Sequence, residues 1–166
     1  MIVKIADTII SPLGCSTEEN YQAVKAGCSA LREYHWEDLP EPFVASLMEG
    51  ERWKGNDVLT RFETLVIGAI NHILPQIDFD ISSPRVIIIL STTKGNVDLL
   101  EGRDGTPADS SPYPGETARK IAAHFGKTQV IADCKSEFES SVGADGRSIP
   151  RDKTSVFACG AEEMYF

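Results

Sequence analysis

The sequence has few of the residues that usually build a metal site or a disulfide framework. Its 166 residues include three histidines and four cysteines. The cysteines form no C-x-x-C pair, and no histidine stands near them at metal-ligand spacing. Nor is there a glycine-rich phosphate-binding loop, a pair of acidic residues at catalytic spacing or a Ser-His-Asp series. The sequence therefore predicts free thiols in a reducing cytoplasm, with no metal and no cofactor.

Basic residues and long apolar runs are also scarce. The chain has 16 lysines and arginines against 25 acidic residues, which gives a formal net charge of −9. Because affinity for nucleic acid and for anionic lipid comes mostly from Lys and Arg, neither is an expected partner. No stretch approaches the ~18 apolar residues of a membrane span. The N-terminus lacks a basic region followed by an apolar one, so we expect neither secretion nor membrane insertion.

The residues that are present alternate between strand and helix patterns. Residues 2–10 predict a strand that stops in a turn at residues 11–14. A helix follows, with Ser16 and Glu19 at capping-box spacing and Gly27 at its end. Beyond this helix we predict an irregular segment over 29–56 with one short strand, and then a helix that runs from a cap at Asn56 or Asp57 to Pro75. A buried strand follows over 85–90, and a loop over 102–115 leads to a helix over 117–125. The last predicted elements are short strands over 129–132 and 155–158. This alternation predicts a single α/β domain with a mainly parallel sheet.

Three stretches in this order resemble one known family. They are IADTIISPLG with the following STEENYQAVKAG, then RVIIILSTTKGNVDLLEG, and then ARKIAAHFG with the short strand after it. The chain is similar here to the N-terminal half of the β-ketoacyl-ACP synthases, condensing enzymes of the thiolase-like superfamily. The resemblance implies one domain over residues 1–166, with a mainly parallel or mixed sheet covered by helices, incomplete relative to the full family fold.

The resemblance also places a nucleophile. In the family the strand after this helix ends in a pattern like N-A-C-x-S-G, whose cysteine accepts the acyl chain as a thioester. The matching stretch is Ala132-Asp133-Cys134-Lys135-Ser136, so Cys134 falls at the nucleophile position. A cysteine at a strand-to-helix elbow lies at the positive end of the helix dipole, which favours the reactive thiolate. The alternative is a small, unreactive thiol, which is also the interpretation for Cys15, Cys28 and Cys159.

A second candidate group follows the buried strand. Thr92, Thr93, Lys94 and Gly95 match the family's turn beside the substrate region, so the resemblance makes them substrate-binding residues. As a strand-ending turn they would need no function.

Residues 133–155 depart from the family pattern. Glu137 replaces the glycine after the C-x-S pattern, and the segment holds glycines, a proline and many charges where the family has a buried apolar helix. SVFACGAEEMYF then resembles the family's next strand at nearly the usual spacing. Our hypothesis for this segment is a local frame shift that was later restored, or a degenerate gene copy. Nucleotide sequence without an alternative frame encoding an apolar helix would exclude the frame shift.

Two functions follow from these observations. The first is a truncated or degenerate β-ketoacyl-ACP synthase (3-oxoacyl-ACP synthase) domain. The family reaction is acyl transfer to the cysteine and decarboxylative condensation with malonyl-ACP in fatty acid or polyketide synthesis. None of His35, His72 and His124 matches the family's two catalytic histidines, so we expect this chain alone not to complete that reaction. The alternative is a non-catalytic interaction or dimerisation module.

The expected partners follow from the same resemblance. They are an acyl carrier protein or acyl thioester, and a second copy or a complementing C-terminal half. Arg52, Lys54 and Arg61 form a basic cluster that could dock an acidic carrier protein, although such a cluster is more often a solvated charged face.

Overall fold

The chain folds into a mixed arrangement of α-helices and β-strands. A computed structural model describes residues 4–37, 39–92, 94–101, 110–127, 130–133 and 154–159, with only the backbone at residue 101 and in the last two ranges. The elements are α1 (Thr17–Lys25), β1 (Arg32–Tyr34), β2 (Phe43–Ala45), α2 (Arg61–Ile73), β3 (Val86–Ser91), α3 (Pro114–His124), β4 (Val130–Asp133) and β5 (Thr154–Cys159). The predicted α/β class is confirmed at this level. None of the described helices has the length and apolar character of a membrane-spanning segment.

A three-stranded parallel sheet forms the centre of the described chain. β3 lies in the middle, with β4 on one side and β5 on the other, and both pairings are parallel. All five residues from Val86 to Leu90 are buried. Burial on both faces explains why this strand is a continuous apolar run rather than an alternating one. The predicted strands over 85–90 and 129–132 are confirmed one residue further along the chain, and the strand over 155–158 is confirmed with one more residue at each end.

Two helices share a hydrophobic core with one face of this sheet. Ile88 and Leu90, which are both fully buried, contribute from β3. The remaining buried members come from α2, namely Phe62, Val66, Ile67 and Ile70, and from α3 and the residue after it, namely Ala118, Ile121, Ala122 and Phe125. Successive side chains of a strand point to opposite faces, so Ile87 and Ile89 lie on the other side of the sheet.

The start of α2 differs from the prediction. The helix begins at Arg61, and its cap is Thr60 rather than Asn56 or Asp57. Asn56 instead accepts hydrogen bonds from the backbone N–H groups of Val58 and Leu59 through its side-chain oxygen. It therefore closes a separate turn, because an asparagine can satisfy nearby backbone donors without starting a helix.

The predicted strand over residues 2–10 was wrong for its described part. Residues 4–10 are not part of a strand. Side-chain hydrogen bonds connect them to the beginning of α1 instead. Asp7 accepts a hydrogen bond from the Thr17 hydroxyl at 2.7 Å, and the Thr8 hydroxyl donates to the carbonyl oxygen of Cys15 at 3.1 Å. Local side-chain bonds of this kind compete with sheet pairing.

The turn and helix that follow were predicted correctly. Ser11 and Gly14 exchange backbone hydrogen bonds of 2.8 and 3.1 Å. Ser16 caps α1 by accepting from the N–H of Glu19. Gly27 ends this region with φ at +74°, a conformation that favours glycine.

The segment between α1 and α2 holds more structure than the single short strand predicted. β1 and β2 pair antiparallel, with Tyr34 opposite Phe43. Further along, Trp53 is buried in a small second core with Met48 and Leu65, and Ile10 and Cys15 pack against it. A Cβ at Gly68 would lie 3.2 Å from the Trp53 ring, so this small residue lets the indole approach α2 closely.

Candidate functional site at the carboxyl edge of the parallel sheet

The three parallel strands end at one edge of the sheet. Ser91, the last residue of β3, is in register with Asp133 at the end of β4 and with Cys159 at the end of β5. The chain after each strand therefore leaves from the same edge. Open α/β sheets commonly bind their ligands outside the carboxyl ends of their strands.

At this edge the strands lead into the two candidate groups predicted from the sequence. The turn that begins at Thr92 leaves β3 here, and Cys134 directly follows Asp133 in the chain. Cys134 and Thr93 themselves lie outside the described residues, as does the atypical segment apart from Asp133, Thr154 and Ser155. The backbone register thus makes the starting points of the turn and of the Cys134 segment neighbours on adjacent strands.

Thr92 shapes the turn. Its hydroxyl oxygen accepts hydrogen bonds from the backbone N–H groups of Gly95 at 2.9 Å and Lys94 at 3.3 Å. Gly95 has φ at +59°, which a residue with a side chain rarely adopts. Thr92 is buried, whereas the Lys94 side chain is exposed. Of the predicted substrate-binding residues, Lys94 is therefore the described one whose side chain reaches solvent.

A buried polar network behind the turn was not predicted. At its centre is Asn96, which is fully buried. The Asn96 side-chain oxygen accepts from the Thr60 hydroxyl at 2.6 Å, and its amide group donates to Glu63 at 3.2 Å and to the Thr117 hydroxyl at 3.1 Å. A third donation reaches the carbonyl oxygen of Ser111 at 3.2 Å. One side chain thus joins the turn to the N-terminal ends of α2 and α3.

A buried ion pair extends this network. Glu63 has no exposed surface, and its carboxylate lies 2.9 Å from the ammonium nitrogen of Lys120, whose side chain is 20% exposed. The same carboxylate accepts from the backbone N–H of Thr60, which completes a capping box at the start of α2. Lys120 also donates to the Ser110 hydroxyl at 3.1 Å. A buried carboxylate is tolerable because each of these donors compensates its lost hydration.

Part of this network could have been found in the sequence. Thr60 and Glu63 have the S/T-x-x-E spacing of a capping box directly before an apolar run, the same signal that correctly identified Ser16 as the cap of α1. Asn96 gives no such signal, because its partners lie 15 to 36 positions away in the chain.

Cys159 ends β5 at this same edge, whereas Cys15, His72 and His124 belong to other parts of the fold. Among the described cysteines, Cys15 is half-buried and Cys28 is exposed. In the described part of the chain no cluster of three or more His, Cys, Asp or Glu could hold a metal ion. His72 and His124 lie on helices, as predicted, and both are exposed.

The predicted basic cluster does not present three free charges. The Arg52 guanidinium stacks on the Trp53 ring, with 4.1 Å from its carbon to the ring centroid. Lys54 pairs with Glu51 at 2.6 Å, and Arg61 donates to the carbonyl oxygen of Met48. These internal contacts favour the interpretation as an ordinary charged face.

Shifted pKa values occur outside the candidate site. The Thr17 hydroxyl and then Lys4 hold the pKa of Asp7 below its ordinary value by hydrogen bonding to the carboxylate. Ser82 does the same for the pKa of Asp80. Partial desolvation and then Glu49 raise the pKa of Tyr34. These three groups lie in local turns and the hairpin, so they report on local structure.

Comparison with protein-family models, with curated proteins and with solved structures found no match to this chain. The family resemblance therefore depends on the sequence motifs, and the chemistry of the site has to be argued from its own residues.

Proposed function

We propose that residues 1–166 form a β-ketoacyl-ACP synthase-like N-terminal domain of the thiolase-like fold, whose own chemistry is acyl transfer to Cys134. The observation that carries this proposal is the register between Ser91 and Asp133. It sets the residue before Cys134 beside the residue before Thr92, as the family's arrangement of nucleophile and substrate turn would require.

The reaction is a thioester exchange. The Cys134 thiolate attacks the carbonyl carbon of an acyl thioester, and a tetrahedral intermediate forms. This collapses when the bond to the donor sulfur breaks, so that the acyl group stays on Cys134 and the donor leaves as a thiol or thiolate. The thiol proton of Cys134 passes to solvent base or to the leaving thiolate.

Local charges act on this thiolate in opposite directions. Lys135, the next residue, favours the thiolate, whereas Glu137 disfavours it. Condensation with a malonyl donor needs the family's two histidines, and none of the three histidines in these residues matches them. We therefore propose acylation, without the carbon–carbon bond-forming step, for these 166 residues.

The test is incubation of the protein with an acyl-CoA, for example hexanoyl-CoA, followed by peptide-resolved mass spectrometry. We expect one acyl group on Cys134 and none after the substitution Cys134→Ser. Cys28 is an internal control, because it is exposed and should react with a general alkylating agent but not preferentially with the thioester. If Cys134 reacts with the alkylating agent yet takes up no acyl group, the proposal is wrong.

A second candidate function is self-association as an interaction module. Within the described strands, β4 and β5 each pair on one side only, and such open edges can accept a strand from another chain. Tyr21 and Val24 on α1 are 56% and 65% exposed, as are Ile5 at 55% and Ile9 at 50%. Light scattering at high concentration tests this candidate, since a monodisperse monomer would exclude it.

A further inference from the structure

We infer that Asn96 is a positioning residue, which holds the turn Thr92–Asn96 at the sheet edge and so controls the reactivity of Cys134. The second half of this inference rests on the function proposed above. The first half depends only on the contacts of the described residues.

The first step is the hydrogen-bond capacity of the side chain. A primary amide has two N–H donors and one oxygen acceptor. The two N–H groups of Asn96 face three acceptors, in Glu63, Ser111 and Thr117, so one N–H is shared between two of them, and the oxygen accepts from Thr60. Neither aspartate nor alanine would do this. Aspartate would present a second carboxylate to Glu63, and alanine would leave several buried groups without this partner.

The second step is the position of these partners. Thr60 and Glu63 belong to the start of α2, whereas Ser111 and Thr117 belong to the start of α3. Asn96 follows Gly95 directly, and a Cβ at Gly95 would lie 3.8 Å from the Thr92 methyl carbon and 3.9 Å from the Pro114 ring. Gly95 thus lies close to the first residue of α3, and Asn96 bonds the far end of the turn to the N-terminal ends of both helices.

The third step connects the turn to the nucleophile. The turn follows Ser91 directly, and Ser91 is in register with Asp133, so the turn and the Cys134 segment leave from neighbouring strand ends. Loss of Asn96 should therefore loosen the turn and misplace its exposed groups, Lys94 among them, relative to Cys134.

The molecule provides a matched control in Asn20. This residue is also buried, and its two amide N–H groups likewise face three acceptors, the carbonyl oxygens of Ile9, Gly14 and Ser16. Its oxygen likewise accepts one hydroxyl hydrogen, from Ser11. However, all of these partners lie within 11 positions, in the N-terminal region around α1. Asn20→Ala thus removes the same number of hydrogen bonds in a helix that makes no close backbone contact with the described strands.

The experiment compares Asn96→Ala with Asn20→Ala in two measurements, each corrected for the folded fraction. The first is the rate of Cys134 acylation by hexanoyl-CoA. The second is amide hydrogen exchange of Lys94 and Gly95, whose N–H groups are bonded to Thr92. We expect Asn96→Ala to slow acylation and to accelerate this exchange by about 10-fold or more, and Asn20→Ala to change either by less than about 2-fold.

Each outcome decides one part of the inference. Equal effects of the two variants on exchange would overturn the positioning role, whatever the acylation result. No acylation of the wild-type protein would overturn the proposed function and with it the link to Cys134, while the exchange comparison would still decide the role in the turn. Normal acylation in a folded Asn96→Ala protein with a loosened turn would overturn the link alone.

If Asn96→Ala does not fold, Thr117→Val and Thr117→Ser replace it. Valine removes a single partner of Asn96, whereas serine keeps the hydroxyl. We expect the valine variant to accelerate exchange at Lys94 and Gly95 and the serine variant to restore protection. Equal protection in both variants would contradict the inference.

Discussion

Two buried asparagines organise two parts of this molecule in different ways. The Asn20 amide donates hydrogen bonds to the carbonyl oxygens of Ile9, Gly14 and Ser16, which all lie within 11 positions of it in the chain. Asn96 makes the same number of hydrogen bonds, but its partners Thr60 and Glu63 lie 36 and 33 positions away. The same side chain thus holds a neighbouring turn against α1 in one region and joins separate elements in the other.

This contrast extends to how each region is packed. Among the described elements, α1 makes no close backbone contact with another helix or strand. Ile10 and Cys15, which precede α1, pack against the small core around Trp53. The sheet layer instead shares one core between α2, α3 and β3. We therefore expect changes around Asn96 to affect global stability and the sheet edge, and changes around Asn20 to remain local.

The largest effect should follow from removing apolar volume in the sheet layer. Ile121 is fully buried in the core, whereas Tyr21 on α1 is more than half exposed. Ile121→Ala should lower the free energy of unfolding by about 2–5 kcal/mol, because it leaves a cavity. Tyr21→Ala should change it by less than about 0.5 kcal/mol. Urea denaturation measures both free energies of unfolding. Similar losses in the two variants would contradict a difference in packing between the sheet layer and α1.

Breaking the buried ion pair between Glu63 and Lys120 should lower the free energy of unfolding nearly as much as Ile121→Ala does. Lys120→Met removes the cation beside Glu63 and leaves a fully buried carboxylate with fewer donors. We expect a loss of about 3 kcal/mol in unfolding free energy. Arg119→Met is the control, because Arg119 pairs with Glu116 in an exposed position and should contribute less than about 1 kcal/mol. Equal losses in the two variants would contradict the burial of Glu63.

The two helix caps offer a comparison of intermediate size. Thr60 caps α2 and also donates to Asn96, whereas Ser16 caps α1 in an exposed setting. Thr60→Ala should cost about 2 kcal/mol and Ser16→Ala about 0.5–1 kcal/mol of unfolding free energy. A larger loss at Ser16, measured by thermal or urea unfolding, would show that the cap of α2 is not coupled to the network.

The smallest effect concerns pH and the N-terminal region. Because the folded-state pKa of Asp7 lies below its ordinary value of 3.8, its contribution to stability is present above that value and is lost as the pH falls through the lower folded-state pKa. Asp7→Asn should therefore destabilise the protein slightly at pH 5, and the difference from wild type should vanish at strongly acidic pH. If the stability difference between Asp7→Asn and wild type grew as the pH fell, the pKa of Asp7 would not be lowered by folding.

The sequence predicted those parts of the fold that depend on neighbours in the chain. Ser16, Gly27 and the apolar run of β3 are local signals, and each gave the correct element. Residues 4–10 show the limit of such signals, because their alternation suggests a strand while Asp7 and Thr8 bond to the start of α1. Sheet pairing depends on partners distant in sequence, which alternation alone does not reveal.

In the candidate site, too, only the features that depend on neighbouring residues could be predicted from the sequence. Thr92 and Gly95 were recognisable as a turn after a strand, and the turn is present. The role of Asn96 could not be predicted, because it depends on the ends of two helices that approach only in the folded chain. The alternative cap at Asn56 illustrates the same difficulty, since several residues before α2 can satisfy backbone donors.

The central claim is that parallel pairing of β3 with β4 brings the start of the Cys134 segment beside the turn at Thr92. Cross-strand nuclear Overhauser effects in the isotopically labelled protein measure this pairing directly. We expect contacts between the backbone protons of Leu90 and Ala132 and of Ser91 and Asp133, in the pattern of a parallel ladder. An antiparallel pattern, or a shifted register that separates Ser91 from Asp133, would contradict it.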